Sequence, residues 1–475
     1  MKFRIRILVI FCVAFILCFS IAQVQSQIYM EVNNPVYSFL EFLEAKGCIK
    51  SSILTTYPIS YREIYGMLQE AEMTCSKDPS TVFAIKFIKK NLDYEPVLPY
   101  FKPLNFFSYS LSYGDSSLLG EKFHNNEAQP LNKGINTFLN FSTFYSGEKF
   151  SFFLKPEIGY YGKFSRIWLK EGYADFRIGR LVFLFGKQAQ WWGPGKNVSL
   201  ILSNNMPSLT MFKITNNYPF ILGSLGLFKF TFFISRLGKD RTVANPYIWG
   251  LRTNFKPCPY FEFGFSRIAL LGGSGKKASL KLWFESLFLK QSNATSEPVA
   301  GFTEFDLKFN LFNKIQPFQI YGSFEGTKEK SGIPENWSYL AGIYLPQIYK
   351  LKSLFFRAEY SKIIKGSYSH DVYLQGYTYK NYFIGNFAGE DSEALWIEAG
   401  HRWFNKSIIS QTGFVSVKYR QTGEKEKEYY LKVSKIFNYK ALISGEIKYF
   451  NISDYAGTGK DRDIFFCGIN FSYKW

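Results

Sequence analysis

The chain has 475 residues, of which 47% are hydrophobic and 20% aromatic, and its formal net charge is +19 at pH 7. Its mean hydropathy of −0.11 and the lack of a second long apolar run exclude a protein built from several transmembrane helices. The sequence has three histidines and no Cys/His cluster at metal-ligand spacing, so we expect no metal and no cofactor.

The amino terminus has the pattern of an export signal. Basic residues lie among the first six, an apolar run follows from 7 to 19, and small residues precede Gln27. This run is shorter than the about 20 residues of a membrane-spanning helix, which is the alternative. Residues 1–26 are therefore predicted to be a cleaved signal peptide. Export and the lack of a basic helix argue against nucleic acid as a partner.

Residues 27–100 are predicted to form a small helical domain on the periplasmic side. Apolar residues recur at helical spacing before Gly47, which is a favourable residue just after a helix end. Ser60 and Glu63 form a capping box before a second helix, and Asp78-Pro79 begins a third. Three short amphipathic helices bury little surface alone, so they should pack on each other and on the next domain.

Two cysteines lie in this helical part. Cys48 and Cys75 can form a disulfide in an oxidising compartment, and free thiols are the open alternative. Cys258 and Cys467 are isolated in the sequence and are expected to behave as small apolar residues.

Residues 101–475 alternate apolar and polar side chains almost to the last residue. Between 305 and 311, for example, every second residue is Phe or Leu, and Asp306 and Lys308 lie between them. There are roughly 18 to 20 such segments of about 10 residues, and bacterial single-chain barrels have an even number of strands. Because lipid requires every backbone polar group to be paired, we predict a closed transmembrane barrel of about 18 antiparallel strands. A soluble β-sandwich is the alternative.

The final strand is aromatic on one face and ends at Trp475. Such an ending resembles the signal by which outer-membrane barrels are recognised for insertion. It predicts an outer-membrane location, outer-membrane lipid as the surroundings, and a contact of Trp475 with the barrel-assembly machinery.

One charged residue does not fit the alternation. Arg267 shares its face with Phe263 and Phe265, which directs it towards lipid, where a charge at the midplane costs roughly 2–4 kcal/mol. Either a bulge turns Arg267 inward or the residue lies at the membrane edge.

The segment 179–205 contains the candidate binding surface. Trp191 and Trp192 precede Gly-Pro-Gly, which cannot continue a strand because Pro194 has no N–H, and which disfavours a helix. A rigid aromatic turn flanked by amides suits a sugar, since ring faces pack on C–H groups and amides or charges bind hydroxyls and carboxylates. The candidate carbohydrate-binding residues are Arg180, Gln188, Gln190, Trp191, Trp192, Asn204, Asn205, Arg252 and Asp306.

Two structural interpretations compete with this one. Arg252 and Asp306 both point into the barrel by strand parity, so they can pair with each other and brace the wall. The two tryptophans can instead form a corner packed under the helical domain.

Several motifs occur in a distinctive order along the chain. They are PVYSFLEFLEAKG, YPISYREIYGMLQEA, FGKQAQWWGPG, SLILSNN and YLQGYTYKNYFIGNFAGEDSEA. Together they resemble the Wzi capsule-assembly family of outer-membrane proteins. The resemblance implies an 18-stranded barrel with a helical plug at its periplasmic end. It also implies a lectin-like role in holding exported capsular polysaccharide at the cell surface.

The predicted function is thus binding and attachment of capsular or related surface polysaccharide by a protein that is not an enzyme. The alternative is an outer-membrane channel gated by the N-terminal helices. An outer-membrane enzyme acting on lipid or glycan is a third hypothesis, but the sequence has no nucleophile elbow and no histidine in a triad motif.

Overall fold

The computed structural model describes residues 28–92, 99–287, 296–313, 315–330 and 333–475. The predicted signal peptide lies outside this part. Three helices come first, and two short helices lie in connections further along the chain: α1 (Val36–Ala45), α2 (Tyr61–Thr74), α3 (Pro79–Asn91), α4 (Leu119–Lys122) and α5 (Leu280–Leu287). Within the described ranges, each of these helices is too short or too polar to cross a membrane.

The described residues close into a barrel of eighteen strand positions, each antiparallel to its neighbours, in which the last strand pairs with the first. The strands are β1 (Tyr100–Gly114), β2 (Gly134–Ser146), β3 (Phe150–Tyr161), β4 (Phe164–Ile178), β5 (Leu181–Gln188), β6 (Leu209–Asn216), β7 (Leu227–Arg236), β8 (Tyr247–Cys258), β9 (Phe261–Leu271), β10 (Val299–Leu311), β11 (Phe318–Lys330), β12 (Ile333–Leu345), β13 (Leu354–Ile363), β14 (Ser392–Trp403), β15 (Ile408–Tyr419), β16 (Lys425–Phe437), β17 (Ala441–Ser453) and β18 (Arg462–Lys474). The short strand Phe220–Ile221 continues the β6 position along β7. The predicted fold class is confirmed.

The two faces of the wall have opposite character. On β10, Phe305 and Phe309 are 45% and 48% exposed, whereas Asp306 and Lys308 between them are buried. A closed cylinder that is apolar outside and polar inside is the β-structure that lipid permits. The chain is therefore an outer-membrane barrel, and the alternative of a soluble sandwich is wrong.

The two ends of the barrel also differ. Connections at one end are as short as 179–180 and 259–260, whereas those at the other include 115–133, 189–208 and 364–391. In barrels of the bacterial outer membrane, short turns face the periplasm and long loops face the exterior. The turn end, where α1, α2 and α3 also lie, is therefore periplasmic.

The first helices begin and end at the predicted signals. The Ser60 hydroxyl accepts a hydrogen bond from the Glu63 N–H at 3.2 Å, and Asp78 accepts one from the Ser80 N–H at 3.1 Å. The Glu63 carboxylate does not complete a capping box, because it pairs with Lys229 of β7 at 2.7 Å.

A disulfide joins the segment after α1 to the end of α2. It links Cys48 and Cys75, so the open question of their pairing is answered. The backbone turns away from α1 at Gly47, whose φ is +75°.

Buried ion pairs attach the helices to the inner wall. Glu44 of α1 contacts Lys308 and Lys256, the latter at 3.2 Å, and accepts a hydrogen bond from Gln319 at 3.0 Å. Glu44 is 0% exposed, and both lysines are also buried. The helices therefore occupy the periplasmic part of the lumen as a plug.

Arg267 faces outward, so the alternative in which a bulge turns it inward is wrong. Arg267 pairs in regular register with Leu251 on one side and Thr303 on the other, and the β8–β9 irregularity lies between Phe255 and Cys258. Nevertheless Arg267 is only 1% exposed, because α5 covers it. A short helix in the connection that follows β9, rather than the strand itself, shields this charge.

The plug contacts give a stability prediction. Replacing Glu44 by Ala leaves two buried lysines without their carboxylate, so the free energy of unfolding should fall by about 3–5 kcal/mol. The matched control is Glu72→Ala, which removes a solvent-exposed pair with Lys89 and should cost about 1 kcal/mol or less. Thermal unfolding of the detergent-folded protein measures both. Equal losses for the two variants would contradict the buried contact.

Candidate functional site

The connection between β5 and β6, residues 189–208, folds back into the lumen and is called the inward loop. Trp191–Trp192 form a two-residue strand that pairs with Thr56–Tyr57, from the segment between α1 and α2. The Gly193 N–H continues this contact by donating to the Thr55 carbonyl at 3.0 Å. The loop that enters from the exterior thus meets the plug inside the barrel.

The two tryptophans have different surroundings. Both are buried, with Trp192 0% and Trp191 4% exposed, and the Trp192 ring centre lies 5.4 Å from that of Phe233 on β7. Trp191 donates its indole N–H to the Gly195 carbonyl at 2.9 Å, which fixes the orientation of its ring. Trp192 thus fits the structural interpretation, in which the tryptophans form a corner packed against the helical domain, rather than the sugar-binding one.

The connection 364–391 covers the inward loop from outside and is called the capping loop. The Tyr377 hydroxyl donates to the Ile201 carbonyl at 2.7 Å, and the Ser203 N–H donates to the Ile384 carbonyl at 2.8 Å. The Ser203 hydroxyl adds a bond to the Gly385 carbonyl at 2.6 Å. These bonds hold the inward loop in one conformation.

Arg252 and Asp306 form an ion pair on the inner wall, as the bracing interpretation predicted. The two distances are 2.8 and 3.1 Å, and both side chains are buried. The remaining guanidinium N–H groups donate to Thr55, Thr56 and Ser266. All five N–H donors of Arg252 are therefore used within the protein, in a contact that joins the wall to the plug.

The other predicted residues are spread along the barrel. Gln188 and Gln190 are buried and bonded to each other at 2.9 Å, and Gln188 also accepts from Lys213. Arg180 lies in a periplasmic turn, with its guanidinium 5.7 Å from the ring centre of Phe220. The nine candidates do not converge on a single point.

A cavity of about 700 Å³ remains between the plug, the inward loop and the walls formed by β1–β4 and β12–β18. Trp191 and Asn204 are the two predicted residues that line it. The cavity extends from Lys440 in a periplasmic turn to Phe466 near the exterior end of β18. The plug and the inward loop thus fill one side of the lumen, and the cavity occupies the other side.

Asparagines from three separate segments meet at this cavity. They are Asn33 and Asn34 before α1, Asn125 and Asn126 in the connection 115–133, and Asn197 and Asn204 in the inward loop. Within the described part of the chain, the buried Asn204 Oδ1 and Asn197 Nδ2 have no hydrogen-bond partner. An unpaired acceptor and an unpaired donor therefore lie among the amides, and such buried groups are normally satisfied by water or a ligand.

Short polar contacts hold these segments together. Asn204 Nδ2 donates to Asn33 Oδ1 at 2.7 Å, and Asn125 Nδ2 donates to the Asn197 carbonyl at 2.7 Å. The Glu127 N–H donates to the Asn204 carbonyl at 2.7 Å. The amide cluster is therefore preorganised by bonds between the plug, the inward loop and the first outer connection.

The first outer connection is attached by Lys122. This residue contacts Glu424 at 2.7 Å and Glu426 at 2.8 Å. Burial alone lowers the pKa of Lys122, but the two carboxylates outweigh it and raise the pKa above its ordinary value. Lys122 thus stays charged and fixes the segment that carries Asn125 and Asn126.

Of the six asparagines in this cluster, sequence reasoning named only Asn204 and missed Asn197 of the inward loop and those of the other two segments. The available signal was the Asn-Asn dipeptide, which occurs at 33–34, 125–126 and 204–205 but also at 216–217, outside the cavity lining. No three His, Cys, Asp or Glu side chains in the described ranges lie close enough to bind a metal ion.

The Arg252 geometry gives a second prediction. Arg252→Ala should lower the free energy of unfolding by about 3–5 kcal/mol, because Asp306 is left buried and unpaired. Adding Asp306→Ala should cost less than the sum of the two single changes. Arg462→Ala, at an exposed arginine on β18, is the control. If Arg252→Ala left stability unchanged and abolished polysaccharide binding, the bracing role would be wrong.

Comparison with known proteins agrees with the barrel and the plug. Residues 111–449 match the family model described as Capsule assembly protein Wzi. A Klebsiella pneumoniae protein, described as an uncharacterized 55.8 kDa protein in the cps region, is 24% identical over 323 residues. This alignment covers 66% of the chain and 60% of the relative's own length.

Among solved structures, the chain is similar to Wzi of Escherichia coli. That protein is described as an outer-membrane protein involved in group 1 capsule assembly and as a carbohydrate-binding β-barrel. The TM-score is 0.76 at 20% sequence identity, covering 96% of this chain and all of the other. Because the family model matches well over half of its residues, the chain belongs to the Wzi capsule-assembly family.

Proposed function

We propose that the protein binds exported capsular or related surface polysaccharide and helps to attach it at the cell surface, without catalysing a reaction. The observation that carries this proposal is the asparagine-lined cavity beside Trp191, in which an amide donor and an amide acceptor are unpaired. The description of the Escherichia coli relative as carbohydrate-binding supports it.

The residue types suit a sugar chain. Each sugar hydroxyl is both donor and acceptor, and an asparagine amide offers two donors and an acceptor that match it. The Trp191 ring, held by its bond to Gly195, offers a flat apolar surface for the C–H side of a sugar ring. Asn197 and Asn204 then supply the polar contacts beside that surface.

Nine lysines and arginines line the cavity against six glutamates, and this excess of positive charge favours an acidic glycan. Lys432, Lys440 and Lys474 line the part formed by β16–β18 and the neighbouring turn. Their charges attract carboxylate or phosphate groups on a sugar chain. The amide cluster and this basic wall form one continuous binding surface along the lumen.

Asn197→Ala is the sharpest test, because its unpaired Nδ2 makes the structural cost of the change small. We expect the affinity for polysaccharide to fall roughly five- to tenfold, because the variant loses about one hydrogen bond to the sugar. The probe is surface polysaccharide extracted from the producing strain, titrated against purified protein in detergent. The fraction retained on whole cells gives a second readout.

Asn451→Ala is the matched control, because Asn451 bonds to Asp463 at the exposed end of β17, away from the cavity. It should bind like the unchanged protein. Trp191→Ala should weaken binding at least as much as Asn197→Ala. Unchanged affinity in both cavity variants would overturn the proposed site.

A further inference from the structure

The helix that covers Arg267 lies on the outside of the barrel. The Arg267 Nε donates to the Ser286 carbonyl of α5 at 3.2 Å, and its Nη1 donates to the Thr303 hydroxyl at 2.8 Å. The indole N–H of Trp249 on β8 donates to the Ser286 hydroxyl at 3.1 Å. Trp249 of β8 and Arg267 of β9 therefore hold the last turn of α5, and Thr303 of β10 holds the Arg267 guanidinium.

A glycine makes room for this contact. A Cβ atom at Gly301 on β10 would lie 2.4 Å from Arg267 Nη2, so any larger residue would displace the guanidinium. The positive charge lies against carbonyl groups at the carboxyl end of the helix, where cations are favoured. This outer wall is thus shaped to receive α5.

The helix has one face on the wall and one face exposed. Leu282 is 1% exposed and packs with Trp249, Ala269, Leu271 and Val299 on the barrel exterior. On the other side, Leu280 is 79%, Phe284 63% and Leu287 40% exposed. Exposing these large apolar side chains to water would be unfavourable.

The surrounding wall identifies what covers this face. Elsewhere the exposed apolar belt continues to the exterior ends of the strands, as at Tyr113 of β1 and Ile135 of β2. On β9 the belt stops after Phe265, and α5 covers the next outward residues. The exposed leucines and Phe284 of α5 therefore take the place of the missing part of the belt.

We propose that α5 is an interfacial helix that inserts Leu280, Phe284 and Leu287 among the acyl chains of the outer leaflet. Arg267 clamps the helix to the wall, so its charge is shielded from lipid. Lys281, 82% exposed on the same helix, extends its ammonium group to the headgroup layer. The site is separate from the polysaccharide cavity, since it lies on the opposite face of the barrel wall.

Depth-dependent fluorescence quenching tests the location. The variant Phe284→Cys is made in a chain that also carries Cys258→Ser and Cys467→Ser, so that the new thiol is the one labelled. This thiol carries an environment-sensitive fluorophore. The labelled protein is inserted into vesicles whose acyl chains carry nitroxide groups. Quenching should match that of the same label at Phe305 in the belt. It should exceed, by severalfold, that of a label at Lys460 in an exterior connection. A Phe284 label quenched only by aqueous iodide, or shielded from both quenchers in a dimer, would overturn the proposal.

Arg267→Gln tests the clamp. In the folded variant, verified by retained heat-modifiability, lipid quenching at position 284 should fall by at least half, and quenching at position 305 should be unchanged. Unchanged quenching at both positions would show that Arg267 does not hold the helix.

Discussion

A cylinder of eighteen strands encloses a lumen that the side chains of its own wall cannot fill, and the rest of the chain is arranged around this constraint. The helices enter from the periplasmic end, and the inward loop enters from the exterior. They meet at the pairing of Thr56–Tyr57 with Trp191–Trp192. The lumen thus contains two inserted segments that support each other.

Two apolar clusters pack the helices and the inward loop against the wall, and buried polar contacts fix their positions. Glu44, Arg252 and Asp306 are buried, and each is bonded to a partner from another part of the chain or wall. Burying charges adds little net stability, but an incorrect arrangement would leave them unpaired at a high cost. The network therefore selects one position of the plug and of the inward loop. It also determines which side of the lumen contains the asparagine-lined cavity.

The local structure could be predicted from the sequence, whereas the contacts between separate segments could not. The alternation of Phe305 and Asp306 predicted a wall residue facing lipid and one facing the lumen, because a strand places successive side chains on opposite faces. Ser60 and Asp78 predicted helix starts for similarly local reasons. The placement of Trp192 depends on Thr56, 136 positions earlier, and the shielding of Arg267 depends on Ser286 of α5. The convergence of Asn33 with Asn204 likewise depends on how the inward loop folds.

The same arrangement links the fold to a role at the cell surface. An inserted plug and loop convert a wide barrel into a scaffold whose remaining cavity carries amides, Trp191 and a basic wall. Conductance across a planar lipid bilayer that contains the purified full chain tests most directly whether the lumen is occupied in this way. The account predicts no steady open-pore current. A stable conductance of the size shown by open porins with a comparable number of strands would contradict it.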